Sequence, residues 1–239
     1  MLHLLLLSNS TNPGQSYFQW ALPHVADFLP DSAKNIIFIP YAVVAFDYNN
    51  YEDKVNKAWQ QVNKKVCSIH SFQNQREAIE NADAIVVGGG NTWQLISMLY
   101  KNDLLASIRN KIIRGTPYIG WSAGSNIACP SIKTTNDMPV VAPASFQALQ
   151  VVPFQINPHY TEDVIPNHGG ETRAQRIEEY IQLNPQTYVV GLPEGCLLRI
   201  DNENVSWIGD KRGKLFLKDE PAKTISGKDN LQFLLNPLQ

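Results

Sequence analysis

Five short apolar runs recur along the chain: Leu4–Leu7, Ile36–Ile39, Ala84–Val87, Tyr118–Trp121 and Tyr188–Leu192. None alternates with polar residues as a strand with one wet face would, and Gly, Pro, Asn or Asp bounds them. Such runs read as strands buried on both faces, which requires a mostly parallel sheet covered by helices. Val66–Phe72 is a further, more polar strand candidate. Between the runs, Ser16–Leu29, Tyr51–Lys64, Thr92–Tyr100 and Leu104–Ile113 carry helical spacing. This alternation implies right-handed crossovers and an α/β, doubly wound fold.

Thr172–Leu183 is the best-defined helix. Thr172 and Gln175 form a capping box, Ala174, Ile177 and Ile181 share a face, and Pro185 follows. After Glu194 the pattern changes to Cys196–Ile200, Asn204–Ile208 and Lys214–Leu217, which read as a C-terminal antiparallel hairpin region. The Pro-rich stretch Pro130–Val152 is long for a connecting loop, and loops of that length usually carry function. With 239 residues and no repeat or linker, a single domain spanning 1–239 is expected, with 218–239 as a peripheral tail.

Composition narrows the function classes. A hydrophobic fraction of 44% excludes a disordered chain, and a net charge of −2 gives no electrostatic case for nucleic acid. Cys67, Cys129 and Cys196 are odd in number and far apart, so neither a disulfide framework nor a metal knuckle follows. Leu2–Leu7 is too short and lacks the flanks of an export signal, and no apolar stretch approaches the roughly 18–20 residues that cross a bilayer. A soluble, cytoplasmic protein without a membrane partner is the expectation.

Gly120-Trp121-Ser122-Ala123-Gly124 matches GxSxG between a strand candidate and a helix candidate, Ala123–Ala128. In that context the pattern is a nucleophile elbow. The turn projects Ser122 at the sheet's carboxyl edge, and the Ala123 N–H can face an oxyanion. The plainer reading is a strand-to-helix turn with a capping serine. Gly88-Gly89-Gly90-Asn91-Thr92 also follows a strand, but position 93 is Trp and no Walker lysine is present. Dinucleotide and P-loop readings therefore fail, leaving a second oxyanion donor or an ordinary glycine-rich loop.

A nucleophilic serine needs a base. His3, His24 and His70 fall in strand or helix patterns and read as structural, whereas His159 and His168 lie in loops downstream of Ser122. His159 is preferred, because the apolar run Val151–Phe154 would hold it at a strand end. Two carboxylates compete to orient it. Asp137 gives the chain order Ser–Asp–His, and Glu194, closing a buried strand, gives Ser–His–Glu. Glu194 is preferred, with Asp137 binding a positive group of the substrate. Arg173 occupies a helix's first turn, where the macrodipole disfavours a cation. It either grips a substrate carboxylate or pairs with Glu171.

Taken together, LLLLSNST (4–11), GGGNT (88–92), GWSAG (120–124), TTNDMP (134–139), INPH (156–159), GETR (170–173) and GLPEG (191–195) resemble the peptidase E family of serine α-aspartyl dipeptidases. The similarity spans about residues 2–217 and fades in Lys218–Gln239. Ser125 stands where Ala is expected, and Trp93 where Phe is expected. The resemblance implies a fold similar to class I glutamine amidotransferases and hydrolysis of dipeptides with an N-terminal aspartate. By motif, Ser122 is the nucleophile, His159 the base and Glu194 the acid, with Asp137 also treated as part of the relay in some descriptions. Gly90 and Ala123 would supply oxyanion N–H groups, Arg173 would bind the aspartyl carboxylate, and Asn91 and Asp137 would contact substrate. No cofactor or metal is implied. The partner is a small peptide, taken by a monomer or small homo-oligomer. Two other readings stay open: a cyanophycinase-like hydrolase of β-aspartyl-arginine peptides, and a non-catalytic small-ligand binding module. A class I amidotransferase would need cysteine at position 122.

Overall fold

A computed structural model describes residues 1–163, 167 and 169–236. The chain runs β1 (His3–Leu7), α1 (Leu22–Phe28), β2 (Ile36–Ile39), α2 (Tyr48–Trp59), β3 (Val66–Ser68) and α3 (Gln75–Glu80). It continues through β4 (Ala84–Val87), α4 (Thr92–Lys101), α5 (Leu105–Ile113), β5 (Tyr118–Trp121) and α6 (Ala123–Asn126). Then come β6 (Gln155–Pro158), α7 (Arg173–Leu183) and β7 (Val189–Leu192). The last strands are β8 (Leu197–Asp201), β9 (Asn204–Ile208), β10 (Gly213–Phe216) and β11 (Lys223–Ile225).

Among the described residues these strands form two sheets. The larger has the order β3-β2-β4-β5-β1-β8-β9. Its pairs from β3 to β1 are parallel, and β8 joins β1 antiparallel, with Leu7 opposite Leu197. The doubly wound α/β expectation describes this sheet. Its unbroken apolar runs have a direct cause. In β1, Leu4 and Leu6 enter one core while Leu5 and Leu7 enter the other, and β2 and β4 divide in the same way. Each side-chain parity meets a covered face, so neither can be polar. Tyr51, Val55 and Trp59 bring α2 onto the face holding Leu7, Phe38 and Trp121. Leu95, Ile96 and Leu99 bring α4 onto the opposite face.

The second sheet, β11-β10-β7-β6, departs from the sequence reading. The run Tyr188–Leu192 does not join the main parallel sheet; as β7 it pairs with β6 in parallel and with β10 antiparallel. Nor does Val151–Phe154 form a strand. The strand is the next segment, β6, an edge strand on which Pro158 removes no ladder hydrogen bond. Two other elements are shorter than their patterns. α1 begins at Leu22, because Phe18 takes φ 65° and turns its side chain into the core. β3 ends at Ser68, where a 3-10 turn, Ile69–Ser71, takes over. Within the tail, Ile225, Leu231 and Leu234 are buried, and β11 extends the second sheet.

Candidate active site

Ser122 follows β5 directly with φ 53° and ψ −112°, a conformation that costs a non-glycine residue about 1–3 kcal/mol. The surroundings hold it there. Its N–H donates to the Leu7 carbonyl at 3.0 Å, and the Ser125 hydroxyl shares its proton between the carbonyls of Leu7 (2.6 Å) and Gly120 (2.8 Å). A Cβ on Gly120 would lie 2.5 Å from the Gly124 carbonyl, and one on Gly124 would overlap the Val87 carbonyl oxygen. The two glycines of the motif thus allow α6 to press against β5 and β4. α6 is a single turn, Ala123–Asn126, shorter than the expected segment to Ala128.

His159 follows β6 directly, with φ 55°. Its Nε2 lies 2.8 Å from Ser122 Oγ and its Nδ1 lies 2.7 Å from Glu194 Oε1. A carboxylate only accepts, so Nδ1–H donates to Glu194 and leaves Nε2 to accept the Ser122 proton. The loop after β1 fixes both partners. The Ser8 hydroxyl accepts the His159 N–H at 2.8 Å and donates to the Leu192 carbonyl at 2.8 Å. The Asn9 side chain accepts the Gly195 N–H at 2.8 Å, immediately after Glu194. Ser8 and Asn9 were missed as positioning groups; their only sequence signal was membership of the SNST turn.

Asp137 does not reach the imidazole. Its Oδ2 accepts from the Thr92 N–H (2.8 Å), the Thr92 hydroxyl (2.6 Å) and the Thr135 hydroxyl (3.0 Å) at the start of α4. Its Oδ1 has no donor among the described residues. Asn91 caps α4 by accepting the Gln94 N–H at 3.0 Å, and its amide donates to the Met138 carbonyl. Asn136 ties this loop to β6 by donating to the Pro158 carbonyl at 2.6 Å.

The glycine-rich turn is braced from below. Tyr51 donates to the Gly89 carbonyl at 3.0 Å and accepts from Trp121 Nε1 at 3.1 Å. Burial pushes the Tyr51 phenol up to about 12, so it remains a donor at ordinary pH. Gly90 takes φ 136°, and a Cβ there would overlap the Ala42 carbonyl oxygen. The N–H groups of Gly89 and Gly90 have no acceptor among the described residues. Tyr51, on an ordinary amphipathic helix, gave no sequence signal.

Arg173 opens α7 and is half-buried. Glu171 pairs with Arg176 rather than with it, at 3.7 Å. Burial, then Arg176, lowers the guanidinium from its ordinary value, and Asp137 is near enough to pull the other way. His168 lies outside the described residues. His3 and His70 are held by Asp201 and by Ser68 and Asn49, away from the cleft.

Ser122, His159, Glu194, Asp137, Gly90 and Asn91 all line one cleft of about 660 Å³. A larger cleft of about 1290 Å³ opens at the opposite edge of the sheet, beside Met1, Leu2 and Asp201, and holds no comparable constellation. Among the described residues no group of three or more His, Cys, Asp or Glu could hold a metal ion, and no helix is long and apolar enough to cross a membrane.

An elbow serine with an imidazole and a carboxylate in line is chemistry that unrelated folds also carry, so similarity must identify the family. The model of peptidase family S51 matches residues 4–208. A peptidase E from Nostoc sp. is 54% identical over 232 residues, covering 97% of this chain and 96% of that one. A peptidase E from Shewanella amazonensis is 45% identical over 231 residues, covering 97% and 98%. Two solved structures share the fold. A peptidase from an acI-B1 actinobacterium has TM-score 0.66 at 16% identity, covering 97% of this chain and 96% of that one. A candidate peptidase E from Listeria monocytogenes EGD-e has TM-score 0.64 at 24% identity, covering 88% and 100%. Every motif that shapes the cleft up to Glu194 falls within the matched span, and the chain belongs to peptidase family S51.

Proposed function

We propose that the chain is a serine dipeptidase that releases N-terminal aspartate from Asp-X dipeptides through an acyl-enzyme. The observation that carries this reading is the hydrogen-bonded line Ser122–His159–Glu194, at 2.8 and 2.7 Å, inside one cleft. His159 Nε2 takes the Ser122 proton as Oγ bonds to the aspartyl carbonyl carbon. Glu194 steadies the imidazolium without taking its proton. The N–H groups of Gly90 and Ala123 receive the oxyanion, and one such donor is typically worth about 10²–10³-fold in rate. The C–N bond then breaks as His159 returns its proton to the leaving amine. Water, deprotonated by the same imidazole, opens the ester and frees aspartate.

Substrate polarity fits the groups around this line. Asp137 offers the ammonium its Oδ1, which has no donor among the described residues, beside Asn91. Arg173, which opens α7, is half-buried and leaves Glu171 to Arg176, takes the aspartyl side-chain carboxylate from beyond the residues that line the cleft. The test is a substrate panel of Asp-Leu, Glu-Leu, Asn-Leu and β-Asp-Arg offered to the wild-type chain, Ser122→Ala and Arg173→Met. Asp-Leu should be the preferred substrate, Ser122→Ala should be inactive, and Arg173→Met should lose the preference for Asp over Asn. Turnover by Ser122→Ala, or preference for the β-linked peptide, would overturn the reading.

A further inference from the structure

Lys54 is the one lysine or arginine lining the cleft that contains Ser122, among the described residues. It is exposed, lies one helical turn beyond Tyr51 on α2, and holds its Nζ 4.3 Å above the Tyr17 ring. No carboxylate among the described residues lies within 4.0 Å of it. An aromatic face steadies an ammonium without neutralising it, so this charge stays available to an anion.

Its place in the fold says which anion. The cleft crosses the carboxyl edge of the main sheet. Asp137 is pinned to the start of α4, on one face, and Lys54 rides on α2, on the other. Ser122, directly after β5, stands at the edge between them. On the reading proposed above, Asp137 takes the substrate ammonium, so the aspartyl residue lies on the α4 side with its side chain toward Arg173. The scissile carbonyl sits at Ser122. The leaving residue must then extend toward α2, where a dipeptide ends in a free carboxylate.

We infer that Lys54 binds the terminal carboxylate of the leaving residue and thereby restricts the enzyme to dipeptides. A longer peptide presents a neutral amide at this point and leaves the ammonium unmatched. Val44 and Phe46, also in the cleft wall, suit an apolar side chain on that residue, and Phe46 packs edge-on against Tyr51 of α2. This assignment rests on the aspartyl-dipeptidase reading and adds to it the group that measures peptide length.

The experiment compares hydrolysis of Asp-Leu with that of its C-terminal amide, Asp-Leu-NH₂, by the wild-type chain, Lys54→Met and Lys54→Arg. A charge-assisted contact of ordinary strength predicts that wild type prefers the free acid by about tenfold or more in kcat/KM. Lys54→Met should lose that preference by slowing only on the free acid, and Lys54→Arg should restore it. A preference that survives in Lys54→Met overturns the role of Lys54. So does an equal loss on both substrates, which would mark a structural lysine. If wild type releases aspartate from neither, the dipeptidase reading itself falls, an outcome distinct from the other two.

Discussion

The backbone N–H of His159 donates to the Ser8 hydroxyl across 2.8 Å, tying the residue after β6 to the residue after β1. Ser8 is fully buried, and Leu192 keeps a second donor, the Tyr160 N–H, at 3.1 Å. Removing the hydroxyl therefore orphans chiefly the His159 N–H, at a cost of about 1–3 kcal/mol. Ser8→Ala should lower Tm by several degrees and reduce kcat on Asp-Leu about tenfold with little change in KM. A stable variant with wild-type kcat would show that the imidazole needs no such tether.

Glu194→Gln and Asp137→Asn should fail in different ways. The first removes the acceptor that fixes the His159 tautomer, and a comparable change in a well-studied triad costs about 10⁴-fold in kcat. On the proposed reading, the second leaves the Ser122–His159–Glu194 line intact but removes the charge that would face the substrate ammonium. Labelling of Ser122 by a fluorophosphonate should slow sharply in Glu194→Gln and stay near wild type in Asp137→Asn, whose KM for Asp-Leu should rise. The reverse pattern would make Asp137 the orienting acid.

Gly124→Ala places a methyl on the Val87 carbonyl, where backbone rather than a flexible side chain must yield. Overpacking of this kind costs about 3 kcal/mol. For a chain of this size that corresponds to a fall in Tm of roughly 6–12 °C. Urea unfolding of the variant checks it, and a loss below 1 kcal/mol would mean that α6 can move away from β4.

Asp83 carries a pH signature remote from the cleft. Hydrogen bonds from the N–H groups of Asn35 (2.8 Å) and Lys34 (2.9 Å) hold its carboxyl below its ordinary value. The folded chain thus binds this proton less readily than the unfolded chain. The resulting stability is present above the unfolded value near ~3.9 and disappears as pH falls through the lower folded value. Asp83→Asn should melt below wild type at pH 7, and the gap in Tm should close as acid protonates the wild-type carboxyl. A gap that widens in acid would reverse the sign.

How far the fold could be read from the chain follows from where each constraint resides. β1, β2, β4 and β5 were legible because burial on both faces is written into consecutive residues, as in Leu4–Leu7 and Ile36–Ile39. The elbow was legible because Gly120 and Gly124 answer a local steric demand. β7 carries the same kind of run, yet its assignment to a second sheet depends on which strand it meets, and its composition is silent on that.

Sequence alone determined the doubly wound core, the elbow serine and a short roster of bases and acids. Tertiary structure sets which of them stand together. The parallel register of β6 and β7 sets Pro158 opposite Leu192, which carries His159 and Glu194 forward together from neighbouring strand ends. Asp137, equally eligible as a loop carboxylate, is drawn instead to the N–H and hydroxyl of Thr92. Tyr51 and Lys54 looked like routine positions on an amphipathic helix. They reach the cleft because that helix packs across β2 and β5, and a contact between segments distant in the chain leaves no local pattern.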